Sequence, residues 1–460
     1  MSLPFIQENS HIGEFLASSA ASVRRPRIEQ SPEDYAAGPA SVLDNTALHH
    51  LSSEHSVRQA VLLMFCDPLP SQCSRLHNLS KKEWHKLLTW LDISGLALYF
   101  LDRIAELGAC DILPSSVLAR LQQNQTDNNV RTQGLAAESV AIQLEFRDAC
   151  LSYAVLKGFS LCPASLPKPE LRHQFDLDFL IAEEDAPEAR RILERRGYRL
   201  YAISGTSWEF KINETPGISI KDMYKDLPGR SVELHVEANA PNRPSLLART
   251  EKRELYGMSM PVLSSVDLFL GQGLHVYKHL ASEFSRTAHL LEFRRHALTR
   301  RNDETFWQEL RIAANGDPVT CLRLGVVALL ITHVMDEFAP DAFAEFTVRS
   351  LPSSAKLWVE WYGRRAVFQD FPGSKLYLLL QRELEFAGVP AKRSLRQALF
   401  PSRLPPSLIR ASGKETLTIR LRRYRMQLQF VFSRLHFHIV EGLRYAWEFY
   451  RWQYMKRDPQ

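Results

Sequence analysis

The chain has 460 residues and a formal net charge of +5 at pH 7, with 45% apolar and 24% charged residues. These values are ordinary for globular proteins, so they exclude a wholly disordered or low-complexity chain, and the length allows two or three domains. The six scattered cysteines include no CxxC pair, which favours reduced thiols over a disulfide framework.

No targeting or membrane-spanning segment is evident. The N-terminus lacks the apolar core of a secretory signal. The longest apolar run begins at Leu324 and falls short of the ~20 residues that a transmembrane helix needs. We therefore expect a cytoplasmic protein.

The N-terminal part divides into two segments. Residues 1–55 carry scattered Ser, Pro, Ala and charge with little periodicity, which predicts a disordered leader. Residues 56–130 have apolar residues at helical spacing, for example at Trp84, Leu87, Leu88 and Leu91, which predicts a helical module.

A strand with a polar end is predicted next. Residues 135–149 continue a helix that leads into a short strand over Leu151–Leu156, followed by Lys157 and Gly158. Glycine lets backbone N–H groups approach a phosphate closely, and lysine adds a point charge. Arg172, a few residues before the next strand, could bind a phosphate or brace the two acidic side chains of that strand.

The segment Phe175-Asp176-Leu177-Asp178-Phe179-Leu180-Ile181 alternates apolar and acidic residues with period two. On a strand this places Asp176 and Asp178 on one face, about 7 Å apart at roughly 3.3 Å per residue. Two carboxylates so close favour a divalent-metal site, because like charges are costly to bury without a cation. An exposed strand face with solvated aspartates would give the same pattern.

Residues 232–236 repeat this alternation, with Glu233 and His235 on the polar face. If the two strands pair with their polar faces aligned, Glu233 becomes a third carboxylate beside the aspartates. Three such carboxylates suit phosphoryl and nucleotidyl transfer: two bind metals and the third helps to bind a metal or activates the attacking hydroxyl. His235 is placed to orient Glu233 or to contact the acceptor.

Further strands and a helix complete the predicted core, which covers residues 131–263. A helix follows over Pro187–Arg196, and strand candidates lie at Tyr198–Ile203, Ser207–Ile212 and Ile218–Asp222. The sequence thus predicts an α+β fold in which a small mixed sheet, with helices on one side, is flanked by N- and C-terminal helical modules.

These motifs, in this order, resemble the uncharacterised nucleotidyltransferase family, a divergent branch of the polymerase-beta-like nucleotidyltransferase superfamily. The resemblance covers roughly residues 60–345, and the helical segment with His275, Lys278, His279 and Glu292 also contributes. The chain differs from the familiar pattern at Lys157-Gly158, where the superfamily has Gly-Ser. It also has Glu233 and Glu292 where Asp is more familiar, and Glu292 is given no catalytic role.

The resemblance implies transfer of a nucleotidyl group from a nucleoside triphosphate to an acceptor hydroxyl, with Mg²⁺ or Mn²⁺ as cofactor and release of pyrophosphate. Asp176, Asp178 and Glu233 would be the catalytic and metal-binding residues. Lys157, Gly158, Arg172 and His235 would contact the nucleotide. The acceptor is open, whether small molecule, protein or RNA. The alternative is a non-catalytic nucleotide-binding or scaffold relative that recruits partners through a basic tail.

Residues 264–400 are predicted to form a second helical module. His275 and His279 lie four residues apart on one helix face, which allows a metal pair but is also typical of packing or surface histidines. Lys278 could contact a nucleotide phosphate.

The tail, within residues 401–460, has its own character. From residue 414 onward it has ten basic and four acidic residues, a net charge of +6, interleaved with many aromatic residues. This pattern predicts a long amphipathic helix or helix pair. We favour packing of its aromatic residues against residues 264–387; the alternatives are binding of nucleic acid or of an anionic membrane.

Overall fold

The structure is a computed structural model that describes residues 53–213, 222–238, 244–315, 317–391, 393–400 and 417–456. The segment predicted as a disordered leader lies outside the described residues up to 52. Residues 53–55 already belong to the first described helix. The predicted fold class is confirmed: helices flank a seven-stranded mixed sheet in the described part of the chain.

The first three α-helices are short, and the fourth is long. Helix α1 spans Ser53–Leu63, a 3₁₀ helix spans Ser71–Asn78, and α2, α3 and α4 span Lys81–Ser94, Ala97–Glu106 and Ser115–Asp148. Helix α2 begins with a capping box, in which Glu83 N–H donates to Ser80 Oγ and Ser80 N–H donates to Glu83 Oε2. It ends at Gly95, whose φ of 79° closes the helix in the left-handed conformation.

Helix α4 runs without interruption for 34 residues. The boundary predicted between residues 130 and 131 therefore falls inside a single helix, because the polar stretch from residue 122 to 129 is helical rather than a loop. Asn128 on this stretch is buried and donates to the backbone carbonyl of Glu170 at 2.8 Å. A polar side chain on this stretch thus contacts the segment that contains Glu170. The sequence pattern alone does not distinguish such a contact from exposure to solvent.

The sheet has the order β3-β4-β5-β2-β1-β7-β6. Its strands are β1 Tyr153–Leu156, β2 Asp176–Ala182, β3 Arg199–Ser204, β4 Ser207–Ile212, β5 Arg230–Glu237, β6 Thr250–Leu255 and β7 Met258–Leu263, with α5 at Ala186–Arg195. Strand β2 runs parallel to β5, β1 runs parallel to β7, and the other neighbouring pairs are antiparallel. The strand candidate at Ile218–Asp222 lies outside the described residues up to 221.

Helices cover both faces of the sheet, where the sequence predicted one. On one face, Phe179, Phe210 and Val232 form a core with α4 and α5. On the other, Ala154, Leu180 and Leu263 join a larger core with the C-terminal helices. The physical reason is that β2 is continuously apolar after Asp178, as expected for a strand buried on both faces.

The C-terminal part is helical, as predicted. It contains α6 Ser265–Leu280, α7 Thr287–Thr299, α8 Glu304–Asn315, α9 Pro318–Val334, α10 Asp341–Phe346, α11 Ser353–Val367, α12 Tyr377–Phe386, α13 Leu395–Leu399 and α14 Leu417–Met455. Among the helices described, α9 included, none is both long enough and apolar enough to cross a bilayer.

The tail helix α14 packs with only one of its faces. Phe437, Tyr445 and Trp452 are buried, and Trp452 Nε1 donates to Glu383 Oε1 on α12 at 2.8 Å. The expectation that the tail's aromatic residues pack is therefore right for this face. It is wrong for the opposite face, where Tyr424, Phe432, Trp447 and Tyr450 are exposed. A single helix 39 residues long presents more than one face, and the neighbouring helices cover only one of them.

Candidate functional site

Strand β2 carries the two aspartates with their side chains on one face. Leu177 and Phe179 lie in the core beneath the sheet, so the alternation turns Asp176 and Asp178 to the opposite face. Asp178 is 4% exposed and Asp176 is half-buried. The strand therefore holds one carboxylate in a desolvated position and the other nearer to solvent.

The register of the sheet brings Glu233 to Asp178. Strand β5 runs parallel to β2 with Glu233 opposite Asp178, and Val232 and Leu234 lie in the core beneath. On the other side of β5, strand β4 places Glu209 opposite Glu233 and Ser207 opposite His235. Ser207 Oγ donates a hydrogen bond to Glu233 Oε1. Three adjacent strands thus present polar side chains on one face.

Asp178, Glu233 and His235 form a compact group. Their potential ligand atoms all lie within 4.8 Å of one another. His235 Nε2 is 2.9 Å from Asp178 Oδ1 and 3.5 Å from Glu233 Oε2, so the imidazole bridges the two carboxylates. Two carboxylate oxygens and one imidazole nitrogen are a donor set that divalent cations use.

Lys157 closes this group from the end of β1. Its ammonium nitrogen lies 2.7 Å from Asp178 Oδ1 and 3.8 Å from Glu233 Oε2. The backbone bends sharply here, because Lys157 and Gly158 have positive φ values of 48° and 37°. A Cβ on Gly158 would also lie 2.3 Å from Gln174 Oε1, so the turn requires glycine both for its conformation and for this close approach.

The pKa of Asp178 reflects opposing influences. Burial of the carboxyl acts to raise its pKa, but the Lys157 ammonium and the His235 hydrogen bond outweigh it and hold the pKa well below the usual range. Asp178 is therefore ionised at neutral pH, as a metal or cation partner requires.

Asp176 stands apart from the compact group. It pairs with Ser231, two residues before Glu233, so it is one step further along the shared face. The group of three ligands found among the described residues contains His235 in its place. Sequence alternation treats the two aspartates as equivalent, whereas the register distinguishes them.

Arg172 is held by the C-terminal helices. Its Nη1 donates to Glu292 Oε2 on α7 at 3.0 Å, and Tyr99 on α3 donates to the other carboxylate oxygen at 2.8 Å. Glu292 is 2% exposed. Arg172 thus ties the segment before β2 to α7. Its predicted contact with a phosphate stays a prediction.

Helix α4 fixes the start of β2. Arg131 Nε donates to the backbone carbonyl of Gln174 at 2.9 Å, and its guanidinium lies over the Phe175 ring at 5.1 Å. Burial, together with the charge of Arg230, lowers the pKa of Arg131 to about 10, so it stays charged at neutral pH. Gln174 Nε2 in turn donates to the Asp176 carbonyl at 2.9 Å, which joins this anchor to the strand.

Ser207 and Glu209 join the site without having been predicted. The predicted strand Ser207–Ile212 places both on one face by alternation, and this signal was available. The contact of Glu292 with Arg172 has no local signal, since the two residues are 120 positions apart. Outside the site, His289 carries no clear signal in the sequence, because the two histidines beside it, His275 and His279, are on a different helix.

Comparison with known proteins identifies a family. The family model described as uncharacterised nucleotidyltransferase matches residues 80–336, which include the second helix, the whole sheet and all of α9. No curated protein matches the chain significantly.

Proposed function

Because the chain belongs to the uncharacterised nucleotidyltransferase family, we propose that it transfers a nucleotidyl group from a nucleoside triphosphate to an acceptor hydroxyl, dependent on Mg²⁺ or Mn²⁺. The observation that carries the proposal is the register of β2 and β5. It sets Asp178 opposite Glu233 beside a lysine, on a polar face next to a glycine turn.

The donor set fits a divalent cation. Asp178 and Glu233 supply carboxylate oxygens within 4.8 Å of each other, and the single positive charge of Lys157 leaves part of their negative charge for a cation to balance. Asp176, on the same face, would complete the ligand set for Mg²⁺ or Mn²⁺. When bound, the metal supplies Lewis-acid stabilisation of the charge that develops on the phosphate oxygens.

The side chains of this chain divide the remaining work. The acceptor oxygen attacks the α-phosphorus, the bond from that phosphorus to the bridging oxygen breaks, and pyrophosphate leaves. The acceptor proton passes to Glu233, whose carboxylate is oriented by Ser207 and His235. Lys157 exchanges Asp178 for a phosphate oxygen when the nucleotide binds, and the N–H groups of the Gly158 turn approach the phosphates.

The test is release of pyrophosphate from ATP, GTP, CTP and UTP, with small molecules, RNA or lysate proteins as acceptors. Asp178→Asn keeps the shape of the side chain and removes its charge. Since metals contribute several kcal/mol and 1.4 kcal/mol is tenfold, we expect a loss of at least about a hundredfold. Glu194→Gln, on the exposed side of α5, is the control and should be fully active.

Two outcomes would count against the proposal. Full activity of Asp178→Asn would remove the site from the mechanism. Nucleotide binding without pyrophosphate release, under every combination of nucleotide, metal and acceptor, would favour the non-catalytic nucleotide-binding alternative.

A further inference from the structure

A cluster of three histidines lies outside the proposed nucleotidyl-transfer site. His275 and His279 are one turn apart on α6, and His289 is in the first turn of α7. The three ring centroids are separated by 4.7, 4.8 and 4.7 Å. One nitrogen from each ring lies within 4.8 Å of the other two. The cluster therefore brings three potential imidazole ligands to one point.

The hydrogen-bonding capacity of the His289 ring is unsatisfied among the described residues. It is 4% exposed, and neither of its ring nitrogens has a hydrogen-bond partner among the described residues. A neutral imidazole carries one donor and one acceptor, and leaving a buried polar group unsatisfied destabilises the folded state. A ligand bound by all three imidazoles would satisfy the buried His289 ring.

Two arginines add positive charge near the cluster. The charge of Arg172 is offset by the carboxylate of Glu292 at 3.0 Å, and Arg286 contacts His173.

We propose that His275, His279 and His289 bind a divalent transition metal of the zinc class. Three imidazole nitrogens are the ligand type of Zn²⁺ and Co²⁺, whereas Mg²⁺ and Ca²⁺ prefer oxygen. The ion would join α6 to α7 one turn before Glu292, which holds Arg172. The proposal does not depend on the nucleotidyl-transfer reaction.

The test is equilibrium dialysis of the full chain against Zn²⁺ or Co²⁺, followed by metal analysis. An Asp178→Asn/His235→Gln background removes the other candidate ligand group, so the remaining metal reports on the histidines. We expect about one ion per chain, with a Co²⁺ absorption spectrum of nitrogen ligation. His279→Gln and His289→Gln should each weaken binding at least about tenfold.

His85→Gln, at an exposed position on α2, is the matched control and should bind metal as the parent does. Because His289 is buried, its variant could unfold; His279 is half-buried, and thermal melting of both variants separates misfolding from loss of a ligand. No bound Zn²⁺ or Co²⁺ in the Asp178→Asn/His235→Gln background, or unchanged binding in a folded His279→Gln chain, would overturn the proposal.

A second, independent observation concerns the uncovered face of α14. Phe432, Leu435, Ile439, Leu443, Trp447 and Tyr450 are all more than half exposed, at steps of three, four, four, four and three residues. These steps keep to the 3.6-residue period of a straight helix. A left-handed two-helix coiled coil needs a period of 3.5, so the stripe suits a flat apolar surface better than a second helix.

The charges on α14 favour an anionic partner. Arg420, Arg422 and Arg425 are exposed near its beginning. The described helix has two acidic residues, Glu441 and Glu448, and both are buried in ion pairs. The exposed face is thus apolar and aromatic with arginines at its N-terminal end, a pattern found in helices that lie in a membrane interface.

We infer that this face of α14 binds the surface of a membrane containing anionic lipids. No helix in the described part of the chain could cross the bilayer, so the attachment is peripheral. The buried face stays on α11 and α12 through Glu448 with Tyr362 and Trp452 with Glu383. Membrane binding then requires no change in the packing of the helix.

The test is flotation of the full chain with vesicles of phosphatidylcholine alone or with added phosphatidylglycerol. We expect binding to the anionic vesicles that weakens as salt is raised. The double variant Leu443→Glu/Trp447→Glu should lose binding at least about tenfold, because two apolar side chains that would enter the membrane interface become charged. Ile312→Glu, at a 76% exposed position on α8, is the control and should bind normally.

Three results would contradict the inference. The first is no binding to anionic vesicles. The second is a dimer in solution that the Leu443→Glu/Trp447→Glu variant dissociates, which would assign the face to a second copy of the chain. The third is vesicle binding that the double variant leaves unchanged while competing nucleic acid removes it, which would assign the basic residues to a polynucleotide.

Discussion

The Lys157 ammonium lies 2.7 Å from Asp178 Oδ1, with Lys157 directly after β1 and Asp178 opposite the last residue of that strand. The lysine is the main counter-charge of a carboxylate that is almost fully buried. In the absence of a metal, this pair stabilises the polar face of the sheet. A bound metal and a nucleotide phosphate would compete for its two members.

Replacing Lys157 by Met therefore should make the protein depend on metal for stability. Removing one partner of a buried ion pair typically costs about 3–5 kcal/mol, because the other charge is left uncompensated. We expect a lower melting temperature without metal and partial recovery with Mg²⁺ or Mn²⁺. Lys168→Met removes an exposed ammonium paired with Asp102 at 2.9 Å and should change little. Equal melting of Lys157→Met and the wild type, with and without metal, would contradict this role.

Glu233→Gln should impair turnover more than nucleotide binding. The amide keeps an acceptor for Ser207 but cannot take up the acceptor proton. We expect kcat to fall by about a hundredfold or more and the Kd of the nucleotide to change little. Glu254→Gln, at an exposed position on β6, is the control. A loss confined to nucleotide affinity would make Glu233 a binding residue instead.

Glu292→Gln should uncouple Arg172 from α7. The carboxylate is 2% exposed and accepts from both Arg172 and Tyr99, so its neutralisation leaves a poorly compensated guanidinium. We expect a loss of about 3 kcal/mol in the free energy of unfolding, measured by chemical denaturation. In the double variant with Arg172→Gln, the two losses should not add, with a coupling of about 1–3 kcal/mol. Additive losses would show that the pair contributes little.

Asp92 predicts a pH dependence of stability. Burial raises its pKa from 3.8 to about 6, although Arg120 and Tyr224 act to lower it. The folded state therefore holds the proton more tightly than the unfolded state, and this stabilisation is complete below about pH 4 and lost as the pH rises to 6. The free energy of unfolding of the wild type minus that of Asp92→Asn should fall by about 3 kcal/mol over this interval.

Chemical denaturation of both chains between pH 4 and 7 measures this difference, which cancels the contributions of other titrating groups. Asp148→Asn, at an exposed position at the end of α4, is the control for removal of a carboxylate as such. A difference for Asp92 that rises with pH would mean that Arg120 dominates over burial.

Strand alternation was enough to predict much of the site. The sequence patterns around Asp178 and Glu233 indicate which side chains face the core, because apolar residues occupy every second position. The hairpin of β6 and β7 was not predicted, since Met258–Leu263 contains Pro261 and follows no clear alternation. Its two-residue turn at Tyr256 and Gly257, both with positive φ, is the signal that was available.

Contacts between distant segments could not be predicted from one sequence. The sequence does not state that β2 and β5 pair in the register that favours Asp178 over Asp176. Nor does it state that His289 meets the two histidines of α6, because helix spacing predicts neighbours only within one helix. Such positions depend on how whole elements pack, which is a property of the complete core.

Helix α4 has a mechanical consequence for the site. At 1.5 Å per residue its 34 residues form a rod about 50 Å long. Near one end Arg120 binds Asp92, in the middle Arg131 holds the Gln174 carbonyl, and near the other end the Gln143 carbonyl accepts from Tyr153. Helix α4 would therefore transmit a tilt of the N-terminal helices to β1 and β2, the strands next to Lys157 and Asp178. A chain shortened to begin at residue 131 would cut the rod in two and release the anchor of β2 from its support.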